Sequence, residues 1–221
     1  MKTKAVVSIL GVSATALISG FILWRMLFGG EDMTSLGLGG IFLASMLSHL
    51  TMVARDLFVP LFISLTALFH PVLLGFAAGV GGAIGDVSAY ALGWGVSESL
   101  EGKSKTDDLV GRWVSRYGLW AILVVAATPL PDLPMVMLAG SRRLPFKKLL
   151  VAEAAGKTAL YSVGAFFGGK VFEVLIGAVG SLTASAFVVV ASIAFTFLIT
   201  WGPSRDYIFN LIGKFVPSDG N

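Results

Sequence analysis

"ATPLPDLPMVMLAG", residues 127–140, packs Pro129, Pro131, Asp132 and Pro134 into seven residues of an otherwise apolar run from Tyr117 to Gly140. A proline inside a helix removes a hydrogen bond and strikes the preceding turn, at about 3 kcal/mol each. An aspartate at bilayer depth costs about 2.5–3.5 kcal/mol even on the lenient insertion scale. A chain that breaks itself there must bury the break in protein or turn it toward water, because irregular backbone does not survive against lipid.

The surroundings are those of a membrane protein. Hydrophobic residues make up 56% of the 221 and charged residues 13%, against about 25% charged in soluble domains. Mean hydropathy is +0.86. Apolar runs cover Ala5–Trp24, Met33–Ala54, Leu57–Val96 (broken by His70, Pro71 and Asp86), Tyr117–Gly140, Val151–Gly169 and Val174–Gly202. Several reach the ~20 residues a spanning helix needs. No period-2 alternation suggests a barrel. The start has the form of a signal peptide, with Lys2 and Lys4 before an apolar stretch, but that stretch continues to Trp24, so a retained anchor helix is expected. Cysteine is absent and there are two histidines, His49 and His70, so neither thiol chemistry nor a metal centre is expected. The formal charge of +3 flanks apolar segments and suits anionic lipid headgroups better than nucleic acid.

At an offset of 71 the chain overlays itself: Pro60 on Pro131, Gly85 on Gly156, Asp86 on Lys157, Tyr90 on Tyr161 and Gly93 on Gly164. Each unit reads as an apolar segment, a break, a short apolar segment and a long helix with an ionisable residue. If Tyr117–Gly140 crossed the bilayer, the basic stretches on its two sides (Lys103 to Arg116, and Arg142 to Lys148) would face opposite compartments, against the positive-inside rule. A hairpin that goes halfway in, turns at Thr128–Pro134 and returns keeps both cytoplasmic. The first unit then enters over Ile41–Ala54, turns at Arg55–Pro60, returns over Leu61–Phe69 and crosses over Val72–Val96. One hairpin plus one crossing is an odd number of crossings, so the second unit is inverted. The expected fold is an all-α polytopic membrane protein. It is an inverted repeat of re-entrant helical hairpin plus transmembrane helix over 36–170, flanked by an N-terminal anchor and loop (1–35) and a C-terminal helix and tail (171–221), with both termini cytoplasmic.

Ionisable residues in the expected membrane interior are the candidates for chemistry: Arg55, Asp56, Asp86, Asp132, Glu153 and Lys157. They read either as a structural ion-pair network or as a substrate or coupling-ion site. Glu153 and Lys157 share a helix face at i, i+4, and the repeat places Asp86 and Lys157 at equivalent positions. Arg142 and Arg143, in "SRRLPFKK", read either as a topology signal or as a fork for lipid phosphate. Pro60, Pro129, Pro131 and Pro134 mark the hairpin breaks. His49 and His70 read as packing and corner residues. No nucleophile set, Walker loop or dinucleotide fingerprint is present, so no catalytic residue, cofactor or enzyme activity is expected.

The two proline-broken segments, with "GDVSAYALGWGV" (85–96) after the first and "TPLPDLPMVMLAGSRRLPFKKLLVAEAAGKTALY" (128–161) for the second, resemble the DedA/VTT superfamily, also called SNARE-associated Golgi proteins, and within it the small YqaA-like branch. The resemblance covers roughly 36–170. It implies a carrier in a prokaryotic plasma membrane that moves lipid, such as polyprenyl phosphate or phospholipid, between leaflets, with proton or sodium coupling. The matching positions are Asp56, Pro60, Pro131, Asp132, Gly140, Gly156 and Lys157. Many members place a glutamate in the first tip and an arginine near the second; here Arg55-Asp56 and an arginine-free Thr128–Pro134 stand instead. A small-solute or ion carrier, and a membrane-organising protein that transports nothing, are the alternatives.

Overall fold

The computed structural model describes residues 3–28, 36–52, 55–96, 117–130 and 132–180, with isolated positions to 191. Among these all regular structure is helical: α1 Thr3–Phe28, α2 Gly37–Leu50, α3 Val59–Leu65, α4 Pro71–Gly85, α5 Val87–Val96, α6 Leu119–Ala126, α7 Leu133–Ser141 and α8 Phe146–Val179. Three stretches are long and apolar enough to cross a membrane: Ala5–Arg25, Pro71–Val96 and Phe146–Val179. The expected crossing over Val72–Val96 is therefore present as a helix. It carries an irregularity at Asp86 (ψ −2°), although Tyr90 N still donates to Asp86 O and the hydrogen-bonded path continues.

The other helices are short. α2 has 14 residues, α3 7, α6 8 and α7 9, so at 1.5 Å per residue they run from roughly 10 to 21 Å against a hydrocarbon core of about 30 Å. The breaks fall where the prolines and polar residues stand, with one difference. Pro60 and Pro134 lie in the first turn of α3 and α7, where a missing N–H costs nothing, and so begin helices instead of forming tips. Pro129 is in the turn after α6; Pro131 lies outside the described residues. His70 caps α4, its Nδ1 accepting from Val72 N, which accords with a corner residue.

A second difference concerns the end of the chain. The expected C-terminal segment begins at 171, yet α8 continues across that boundary through Lys170 and Glu173 and stops at Gly180, whose φ of +81° only glycine adopts freely. Both charged residues are exposed on this helix, so nothing forces it to end there. Most of the expected C-terminal helix, together with residues 97–116, lies outside the described residues.

Packing rests on close backbone approach, as it must where lipid is as apolar as the side chains. α4 lies between α2 and α8. A Cβ at Gly75 or Gly79 would overlap the α8 backbone at Ser162 and Thr158, and one at Gly81 or Gly85 would strike the α2 carbonyls of Phe42 and Met46. α5 and α7 meet in the same way through Gly93 and Gly140. Ser8 Oγ on α1 donates to Ala91 O on α5 (2.8 Å). Three apolar clusters result among the described residues, one around Ile41, Phe58, Leu65 and Leu74, one around Ala89, Ile122, Val136 and Leu149, and a small one of Ala121, Val125 and Met135. The outer faces of α1 and α8 are exposed and apolar, with Leu10, Leu17, Phe21, Val163, Phe167 and Val174 on the surface.

Candidate functional site

The broken segments bring five charged side chains into one buried group. Arg55, from the link between α2 and α3, donates from Nη1 to Asp132 Oδ1 (2.6 Å) and from Nη2 to Asp86 Oδ1. Lys157, on α8, places Nζ 2.5 Å from Asp132 Oδ2, 2.6 Å from Asp86 Oδ2 and 3.5 Å from Glu153 Oε2. The contact to Asp132 is a hydrogen bond. That to Asp86 Oδ2 is an ion pair whose angles fall outside hydrogen-bond geometry.

Local structure explains the convergence. Asp132 sits at the N-cap of α7, where an aspartate ordinarily accepts from the helix's free N–H groups. Here its side chain makes no cap bond and turns to the two cations. Asp86 reaches the group from the irregularity between α4 and α5. Lys157 and Glu153 come from one face of α8, side by side at i, i+4. Lys157 and Asp86, which overlay at an offset of 71 in the sequence, are in contact.

Burial makes the arrangement consequential. Lys157, Asp86 and Glu153 side chains are 3%, 2% and 1% exposed. An ion pair taken out of water stabilises only when its geometry compensates lost hydration, and removing one partner costs about 3–5 kcal/mol. Oxygens of Asp86, Asp132 and Glu153 lie within 4.8 Å of one another, a spacing that would suit a metal ion. The Lys157 ammonium, 2.5–3.5 Å from one oxygen of each, already fills that position.

Other expected site residues lie apart. Asp56 is exposed although it neighbours Arg55, and it contributes its backbone O to Val59 N (3.0 Å). Arg142 and Arg143 are exposed at the end of α7. Arg143 has φ +55°, a left-handed conformation in which helices usually place glycine or asparagine.

Sequence reading missed one polar pair. His49 is buried on α2; Ser45 O lies 2.9 Å from its Nδ1, which must therefore carry the proton, leaving Nε2 to accept from the Tyr161 hydroxyl at 3.3 Å. Tyr161 also meets Phe58 edge-on at 5.4 Å. The available signal was spacing, since Glu153, Lys157 and Tyr161 recur every fourth residue and make one polar column on α8. Further along α8, Val163, Gly164, Phe167, Gly168, Val171 and Leu175 line an apolar groove of about 410 Å³ with Ile63 of α3.

No curated protein matches the chain, and no solved structure does. The VTT domain matches residues 58–170, more than half of the 221 and inclusive of Asp86, Asp132, Glu153 and Lys157. A helical chain with membrane-length apolar helices, in which that domain carries most of the buried ionic group, is an integral membrane protein and belongs to the VTT domain family.

Proposed function

We propose that this protein is a lipid carrier that passes anionic lipid between leaflets, with its two broken segments as re-entrant hairpins of an inverted repeat and its buried ion pairs as the closed gate. The observation that carries the reading is the bridge made by Arg55 and Lys157, which ties Asp132 at the second break to Asp86 and to the first break. A gate of this kind opens by exchange: a lipid phosphate offers a guanidinium and an ammonium what a carboxylate offers, including a bidentate contact with Arg55. The acyl chains stay in the bilayer. Both basic loops and both termini are then cytoplasmic, in a prokaryotic plasma membrane, and Arg142 and Arg143 collect anionic headgroups at the surface. Coupling to a proton or to sodium belongs to the same reading, since a carrier closed by ion pairs responds to any cation that enters them. Family membership and helices too short to span support it.

The test is reconstitution in vesicles holding a fluorescent anionic lipid, with leaflet-selective chemical quenching. The parent protein should expose inner-leaflet label faster than empty vesicles do. Label movement equal to that of empty vesicles would remove lipid transport from consideration.

A further inference from the structure

Among the five buried charges, two cations and two aspartates close a ring. Arg55 faces Oδ1 of both aspartates and Lys157 faces Oδ2 of both, so each aspartate oxygen has a cation beside it and the four charges cancel. Glu153 is left over. It is 1% exposed, and among the described residues its Oε1 has no hydrogen-bond partner and its Oε2 has only the 3.5 Å approach of Lys157 Nζ. Ionised, it would leave the group with one uncompensated negative charge out of water, the situation that costs most.

We infer that Glu153 is a binding site for a single exchangeable proton, carried on its carboxyl group while the Arg55–Asp86–Lys157–Asp132 ring stays charged. A metal cation fits the position less well, because it would sit against the Lys157 ammonium and would need several oxygen ligands, whereas the ring already engages those of Asp86 and Asp132. A proton needs one oxygen. The charged groups within reach of Glu153 are Lys157 on its own helix, Asp132 at the start of α7, Asp86 between α4 and α5, and Arg55 before α3. His49 on α2 and Tyr161 on α8 border the ring and hydrogen-bond each other.

Exchange follows from the spacing. When Glu153 gives up its proton, the nearest cation is Lys157, one turn along the same helix face, and an ammonium drawn toward Glu153 is shared less with Asp86 and Asp132. Proton release thereby loosens the tie to the second break. The inference deepens the carrier reading by naming the coupling ion and its residue; it rests on that reading for its purpose and not for its test.

The test is infrared difference spectroscopy of the full chain in lipid bilayers, titrated with pH. The parent should show a protonated-carboxyl C=O band that titrates with the amplitude of one group and is indifferent to replacing sodium with potassium. Glu153→Gln should lose that band, and Glu173→Gln, which changes an exposed carboxyl, should keep it. A band that persists in Glu153→Gln overturns the assignment, as does a parent with no such band, or a titration that follows sodium. If Glu153→Gln fails to fold, Glu153→Asp substitutes: its band should shift in frequency, and an unshifted band overturns the proposal. A parent that shows the band yet moves no anionic lipid supports the proton site and removes the carrier reading alone.

Discussion

Replacing Lys157 with methionine keeps the length of the side chain and deletes the charge that two aspartates share. At an effective dielectric constant of 20, a unit charge about 2.6 Å from another interacts by about 6 kcal/mol, and Lys157 Nζ makes two such contacts, at 2.5 and 2.6 Å. Burying the ions offsets most of that, by several kcal/mol for each, and the net cost of removing one partner is about 3–5 kcal/mol. Lys157→Met should therefore lower stability by that amount, or about 6–20 °C in midpoint at the 2–4 °C per kcal/mol typical of a chain this size. The assay is thermal unfolding in detergent, followed by loss of helical signal. A cycle with Asp86→Asn separates charge from packing. The single mutant leaves Arg55 facing two aspartates, whereas the double mutant leaves one cation and one anion. The double should thus be more stable than the sum of the singles predicts, by about 1–3 kcal/mol, in the range of directly contacting residues. A Lys157→Met loss below about 1 kcal/mol, or additivity in the cycle, would refute the reasoning and place the group in contact with water.

Gly79→Ala should cost about 1–3 kcal/mol, because its Cβ meets the Thr158 backbone; Gly164→Ala, with open space at its Cβ, should stay within about 0.5 kcal/mol in the same unfolding assay. Cysteines at Ser104 and Ser141 of this cysteine-free chain should react from the same side with an impermeant thiol reagent, and opposite-side labelling would remove the re-entrant reading of 117–140. Arg142→Lys with Arg143→Lys keeps the positive charge that orients the chain and deletes the guanidinium fork. Anionic-lipid movement should fall severalfold at unchanged orientation, whereas unchanged movement would leave the cluster as a topology signal.

Composition sufficed for the helical membrane character of the chain. Apolar runs of about 20 residues select a bilayer whatever the rest of the chain does, and prolines with an aspartate in such a run mark a break, because backbone cost is local. The register at an offset of 71 sets Asp86 and Lys157 at equivalent positions, which does not by itself imply contact; the ion pair between them is read from the fold. Which neighbours join them was decided in three dimensions. Arg55 and Asp56 are adjacent in sequence and equally polar, yet one is drawn into the buried group and the other is exposed, a choice set by side-chain direction at a turn that no periodicity governs. His49 became a partner of Tyr161 only because α2 and α8 both pack on α4. The run of α8 past Lys170 to Gly180 likewise depended on context, since a charged residue ends a membrane helix only when its surroundings leave it nowhere to go. The odd charge at Glu153 is a property of the assembled ring: one carboxylate in excess has no meaning until the fold has paired the other four.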